Sequence, residues 1–362
     1  MINEKGYLID FAIIVRSPRG INISVSWLKN SQYFWVYNPS ILKLITLLKI
    51  IRKGKYDFIY GHGGGGGWGN FAALVARKPF GMRYYGTFLS QHLDDNYFRF
   101  FRRNLLKSVV YNLPKKFMIV TNDGTKGDLV YKKLCLNKKA YVFKFWLNGV
   151  NKALNGDNER HVNPVSYQSI IDSDTKILLY PARYDPWKRQ ELALEILHEL
   201  KLRNNNDFSL IFCGHKYDMD YYEKLLSMTS SLGLDESVLF FDPFEPELLA
   251  KLMERSFAVL SLYNFSNLGN VMIEAAQRGS FLITLKDGST DFLIENDVTG
   301  VSISFDSSTV GTIADRLHYY ASNEELTMQI KKNLQKRAEE IFLTWADRAL
   351  QEINLIEESI SN

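Results

Sequence analysis

Cysteine is nearly absent: Cys135 and Cys213 are the only two, and they lie far apart. That excludes a disulfide framework and a Cys-rich zinc site, and a reducing, cytoplasmic setting is expected. Long apolar runs are missing as well. No stretch approaches the roughly 20 residues a bilayer-spanning helix needs, and no charged start followed by an apolar run marks a secretory leader. The six histidines are scattered without metal-ligand spacing, so no metal is expected, and no Ser–His–Asp or Cys–His set can be assembled from spacing. Acidic residues are scarce in the first half. Residues 1–162 hold 9 Asp+Glu against 26 Lys+Arg, net +17, whereas 163–362 hold 31 against 18, net −13. The basic half is expected to meet anionic matter; membrane headgroups, a phospholipid-like acceptor or nucleic acid would each serve.

What is present describes a globular chain. Its 362 residues suffice for two domains, and 46% hydrophobic with 14% aromatic content provides sizeable cores. Apolar runs alternate with amphipathic helices, the pattern of α/β layers with parallel sheets. In the first half strands are expected at 8–15, 33–37, 56–60, 82–85, 117–121 and 141–146, with helices over 40–53 and 70–77. Residues 152–174 are polar and read as an interdomain connection. The second half then gives strands at 176–180, 208–213, 238–241, 257–263 and 281–284. Helices fall at 190–202, 221–232, 246–255 and 270–279, and a long one runs over 324–362 with a break near 343–345.

The most informative stretch runs from Tyr263 to Gly279. An apolar strand enters a short polar loop, and a helix opens near Asn270. Unpaired amides at a helix start suit a phosphate, and Glu274, one turn inside, can accept from both hydroxyls of a ribose. An ordinary strand–loop–helix with a solvated Glu is the plain alternative. A second stretch, Tyr180 to Arg189, lies at another strand-to-helix turn. Asp185 fits an N-cap and Pro186 the first helical position, which puts Lys188 and Arg189 in the first turn, where the dipole disfavours cations. An anion held between Arg183, Lys188 and the helix start resolves the conflict; a solvated basic turn would also account for it.

A run of glycines, Gly63–Gly67, follows His62, and the string Gly61-His-Gly63-Gly-Gly-Gly66 formally satisfies a dinucleotide-binding glycine pattern. Arg83 nevertheless stands where an acid would hold a ribose, and the Gly-Lys-Ser/Thr ending of a P-loop is lacking. It reads as a loop lining a cleft, with Gly63 and Gly64 near a ligand, or as a merely flexible loop. His62 and His92, at strand ends of the first domain, and His215, from the second, could line the same cleft. Residues 97–107 and 43–53 mix bulky apolar side chains with cations. The first suits a membrane interface or acceptor, and the second a core-packed helix with a basic outer face.

Residues 176–300 resemble the retaining glycosyltransferases of the GT-B fold, family 4-like, also described as glycosyl transferases group 1. The likeness rests on Ala182–Arg183 with Lys188–Arg189, on the strand ending at Gly214, and on Ser266-Asn-Leu-Gly-Asn-Val-Met-Ile-Glu274-Ala with Gly279 downstream. Asn148-Gly-Val-Asn151 resembles the family's motif at the domain junction, and Tyr84-Tyr-Gly-Thr87 stands where many members have a His-Gly turn. The resemblance implies two Rossmann-like doubly wound domains facing a cleft. These are an acceptor-side domain at 1–155, a nucleotide-sugar donor domain at 156–344, and a C-terminal helix at 345–362 returning to the first domain.

By position, Arg183 and Lys188 would hold the donor diphosphate and Glu274 the ribose. Ser266, Asn267, Leu268, Gly269, Asn270 and Val271, with Gly214 and His215, would line the donor site. His62, Gly63, Gly64, Tyr85, Gly86, Thr87 and His92 would face the acceptor. The implied reaction moves a hexose from a UDP- or GDP-linked donor to a glycan or lipid-linked acceptor in cell-surface polysaccharide synthesis. It needs no cofactor or metal and proceeds with retention, at the inner face of the membrane, where the basic domain meets anionic lipid; no nucleic acid is implied. Two positions depart from the family. Ser266 stands where a first glutamate precedes the second by eight residues, and the segment from Lys5 matches the family's second strand, so that the chain starts late, its first domain is divergent, or a partner completes it. Two other classes stay open: an NAD(P)-linked oxidoreductase or sugar-nucleotide modifying enzyme, and a catalytically silent binding subunit.

Overall fold

The computed structural model describes residues 8–15, 32–37, 42–136, 141–151 and 175–361. The polar stretch 152–174 and the segment Lys5–Tyr7 lie outside them. The chain divides into two compact units, residues 1–149 with 345–362, and residues 150–344.

In the first unit β1 (Phe11–Val15) pairs in parallel with β2 (Tyr33–Tyr37). A second parallel sheet runs in the order β3 (Ile59–His62), β4 (Phe80–Tyr85), β5 (Phe117–Asn122) and β6 (Val142–Leu147). β4 and β5 are buried over nearly their whole length, which is why they read as continuous apolar runs rather than alternating ones. The helix Leu42–Lys53 buries Leu47 and Ile51 beside Val36 and Ala72, so this basic segment is core-packed.

The last helix, Trp345–Ser361, belongs to the first unit, and Leu355 packs on Phe117 and Ile119. Its Glu352 carboxylate accepts from Arg83 Nη1 at 2.5 Å and from Tyr60 Oη at 2.7 Å, and Arg348 lies over the Trp146 ring at 3.7 Å.

The glycine run corrects the sequence reading. Gly63–Gly67 is not a loop but the opening of a 13-residue helix, Gly63–Val75. The glycines serve close approach. A Cβ on Gly66 would lie 2.5 Å from the Gly61 carbonyl carbon, and one on Gly67 would lie 2.6 Å from Val110 Cγ1. The chain turns from β3 straight into this helix at Gly63, whose φ of 59° suits glycine.

The second unit holds a six-stranded parallel sheet in the order β12-β11-β10-β7-β8-β9. The strands are β7 (Lys176–Pro181), β8 (Phe208–Cys213), β9 (Val238–Phe241), β10 (Ala258–Ser261), β11 (Leu282–Leu285) and β12 (Val301–Ile303). The short β12 and the helix Thr309–Ala321 had no expectation from the sequence. Succession runs outward from β7 through β8 to β9, then returns to the other side of β7 at β10. The chain order therefore reverses between β7 and β10. At such a switch point the loops leaving the carboxyl ends of the two strands part and open a crevice, the usual ligand position in a doubly wound sheet.

Candidate active site

The loops that leave β7 and β10 carry the cations and the helix tip singled out in the sequence. They are tied together. Trp187 Nε1 donates to the Phe265 carbonyl at 2.9 Å, and Arg189 Nη1 donates to Asn264 Oδ1 at 2.8 Å. Asp185 accepts from the Trp187 amide at 3.1 Å and caps a single 3-10 turn, Pro186–Lys188. The long helix, Gln190–Leu202, starts only after Arg189, whose φ is 52°. Lys188 and Arg189 thus precede the α-helix instead of occupying its first turn. The left-handed residue separates the two helical pieces, and Asp185 satisfies the shorter one.

Arg183 is 41% exposed, and its Nε and Nη2 both meet Asp185 Oδ2, at 3.0 and 2.8 Å. Its guanidinium lies 4.4 Å from the Tyr217 ring centroid. Lys188 is enclosed by aromatics: Nζ sits 3.6 Å from the Tyr263 ring centroid and 4.3 Å from that of Trp187. No carboxylate among the described residues forms an ion pair with it. Desolvation first, and the nearby Arg183 charge second, push its pKa down to about 8, against a smaller upward pull from Asp185. A buried ammonium short of counter-charge gains from an anion.

The β10 loop is organised by Asn267. Its Oδ1 accepts from Ser261 Oγ at 2.9 Å and the Tyr263 amide at 3.0 Å, and its Nδ2 donates to the carbonyls of Tyr263 and Leu285, both at 3.1 Å. The Asn267 amide donates to Asp287 Oδ2 at 3.0 Å, and the Leu268 amide to Ser289 Oγ at 3.2 Å. The Asn267 side chain and the Asn267 and Leu268 amides are thus committed to bracing the loop rather than to a ligand.

Ser266 is buried with φ 64°, a left-handed backbone that a non-glycine residue holds at a cost. Gly269 caps the helix Asn270–Gln277, and a Cβ there would meet nothing within 4 Å. The amides of Gly269 and Val271 donate to no group among the described residues, so the helix tip offers free donors beside open space. Asn270 lies exposed at the same tip. One turn on, the half-buried Glu274 carboxylate has no hydrogen-bond donor among the described residues, and desolvation raises its pKa against the Arg278 charge. Gly279, with φ 68°, closes the helix end.

Gly214 has a steric reason. A Cβ there would lie 2.1 Å from the Ala182 carbonyl oxygen, because the β7–β8 ladder continues past both strand ends. The Ala182 amide donates to the Cys213 carbonyl at 3.0 Å and the Tyr184 amide to that of His215 at 2.8 Å. The His215 side chain is exposed.

The first-unit candidates gather at the carboxyl ends of β3 and β4. His62 ends β3, its ring edge-on to Tyr60 at 4.3 Å. Desolvation lowers its pKa, Glu352 opposes the shift, and Arg83 adds to it. Gly63 and Gly64 begin the following helix, Tyr85 ends β4, and Gly86 opens a short helix where the Thr87 amide donates to Asp123 Oδ2 at 3.1 Å. His92 does not line a surface. It is buried, bonded through Nδ1 to Asp95 at 3.0 Å and set edge-on to Phe100, because the chain leaves the strand end through one more helical turn before reaching it.

Sequence reasoning missed the aromatic walls Tyr263, Trp187 and Tyr217, and the brace of Asp287 and Ser289. The aromatics left a signal, a cluster of rings beside cations in two loops. The brace left none, since it reaches across 20 residues of chain. Among the described residues no group of three His, Cys, Asp or Glu could hold a metal ion.

Residues 165–337 match the family described as Glycosyl transferases group 1. The D-inositol 3-phosphate glycosyltransferase of Corynebacterium diphtheriae is 28% identical over 136 residues, 37% of this chain and 32% of that protein. The chain spans less than half the length of the curated relatives it matches. Anabaena HepE, solved with UDP-glucose, superposes with a TM-score of 0.70 at 16% identity, covering 96% of this chain and 99% of that one. Sucrose-phosphate synthase from Thermosynechococcus elongatus gives 0.72 at 15% identity, covering 99% and 91%. The chain thus has the GT-B fold, two parallel-sheet α/β domains, and its similarity to the glycosyl transferases group 1 family lies over residues 165–337.

Proposed function

We propose that this chain is a glycosyltransferase that moves a hexose from a UDP- or GDP-linked donor to a glycan or lipid-linked acceptor in cell-surface polysaccharide synthesis. The observation that carries the reading is Lys188. It is a largely enclosed ammonium with no carboxylate partner among the described residues, set at the switch point between loops that also hold Arg183 and a helix tip with free amides. A diphosphate supplies the missing negative charge and uses all three donor types. Glu274 takes the ribose hydroxyls. The complex of the HepE neighbour with UDP-glucose supports this donor class.

The proposed chemistry is transfer with retention. The bond between the anomeric carbon and the diphosphate oxygen breaks, and the electron pair leaves with the diphosphate. The acceptor oxygen bonds to the same face of that carbon, and its proton passes to the departing phosphate. Arg183, Lys188 and the helix tip stabilise the leaving charge, work assigned here to these groups without a metal. The reaction would take place in the cytoplasm at the membrane face.

Thermal melting tests the reading. UDP or GDP is expected to raise the melting temperature, and Arg183→Ala or Glu274→Ala to abolish the rise. A shift with NADPH and none with any nucleoside diphosphate would replace this reading by the oxidoreductase class. Nucleotide binding without hydrolysis or transfer of any nucleotide sugar would leave a silent binding subunit.

A further inference from the structure

We infer that Asp185 is a positioning residue for anion binding in the second unit: it grips one edge of the Arg183 guanidinium and leaves the other edge as a preset two-donor fork. The anion's identity, a diphosphate, rests on the donor-site reading above; the fork itself rests on the geometry of the β7 loop.

Asp185 divides its carboxylate between two tasks. Oδ1 accepts from the Trp187 amide at 3.1 Å and so caps the turn Pro186–Lys188, whose last amide, that of Lys188, donates to the Asp185 carbonyl at 2.7 Å. Oδ2 accepts from Arg183 Nε at 3.0 Å and pairs with Nη2 at 2.8 Å. One residue therefore fixes the turn that carries Lys188 and the side chain of Arg183. Its own side chain is only 14% exposed, so water screens the pair less than it would an open surface pair.

A guanidinium is planar and carries five N–H donors. Nε–H and one Nη2 hydrogen form its side edge, and the second Nη2 hydrogen with one on Nη1 forms its end edge. Asp185 takes the side edge alone. The end edge donates to no group among the described residues. Two parallel N–H groups match two oxygens of a phosphate. The plane is held as well, since the Tyr217 ring centroid lies 4.4 Å from Arg183 Cζ and that of Trp187 5.7 Å. Tyr217 is fixed through backbone on either side: its amide donates to the His215 carbonyl at 2.9 Å, and the Asp218 amide to that of Tyr184 at 3.0 Å. A long, half-exposed side chain is thus ordered before any ligand arrives. Ordering it only on binding would weaken affinity about two- to tenfold. Asp185 also has the anion's own sign. As a bare counter-charge to Arg183 it would oppose anion binding, so the two roles predict changes of opposite direction when its charge is removed.

Isothermal titration of the full chain with inorganic pyrophosphate and with UDP decides between them. Asp185→Asn keeps an equally good N-cap and removes the carboxylate. It is expected to weaken both ligands roughly fivefold while Arg183 is present, and to leave them unchanged or tighter in the Arg183→Ala background, where only the like charge is lost. Asp185→Ser, which also caps but is too short to pair with Arg183, should repeat the result, and melting temperatures near the parent's control for folding. Unchanged or tighter binding of Asp185→Asn with Arg183 present, or an equal loss in both backgrounds, would overturn the inference. Failure of the donor reading looks different: pyrophosphate would bind with this coupling while no nucleoside diphosphate binds. A parent that takes neither ligand would overturn both.

Discussion

Lys188 loses its proton more easily than an ordinary lysine, since aromatic burial and the Arg183 charge hold its pKa near 8. Between pH 8 and the ordinary value of 10.5 the unfolded chain binds more protons here than the folded one. This residue therefore favours folding increasingly as pH rises through that window and contributes a constant penalty below it. Anion binding has the opposite sign, because a diphosphate prefers the charged ammonium. UDP affinity is expected to fall by up to about tenfold per pH unit above pH 8, well beyond the phosphate's own titration near ~6. Lys188→Met should bind UDP weakly with a flat profile, and an unchanged slope in isothermal titration from pH 7 to 9.5 would refute the assignment. At this scale the sequence displayed the cations and the carboxylate, because their residue types and turn positions are local. It hid the packing of the Tyr263 ring on Lys188, because a contact across 75 residues leaves no mark on spacing.

Among the elements, the β10 loop owes its shape to one side chain. Asn267 uses every hydrogen-bonding position it has, two accepted and two donated, in a fully buried place. Asn267→Ala strands those partners at about 1 kcal/mol each or more, so a loss of roughly 3–5 kcal/mol is expected in denaturant unfolding. A value under about 1 kcal/mol would mean that water replaces the side chain without cost. Strand positions were legible because buried parallel strands are uninterrupted apolar runs; β8 and β9 fall where the sequence placed them. The helix Gly63–Val75 was misread at its start because five glycines normally signal a loop. Here their missing side chains let the helix lie on β3, a tertiary cause that local propensity does not contain.

For the whole molecule, all groups proposed to hold the nucleotide belong to residues 150–344, one compact unit with its own sheet and core. That fragment, expressed alone, is expected to fold and to bind UDP within a few-fold of the full chain. An unfolded fragment, or a folded one that ignores UDP, would show that the first unit completes the site. The basic first half and acidic second half, legible from charge counts alone, map closely onto this division, with only the last helix crossing back.

The free amides at Gly269 and Val271 have a consequence for any survey of variants. No replacement except proline removes a backbone N–H, so Val271 would tolerate many other side chains even if its N–H grips a phosphate. Asn267, whose side chain is spent on bracing the loop to its neighbours, would score as indispensable. A tolerance map of this chain will therefore highlight the braces and leave the grip itself pale.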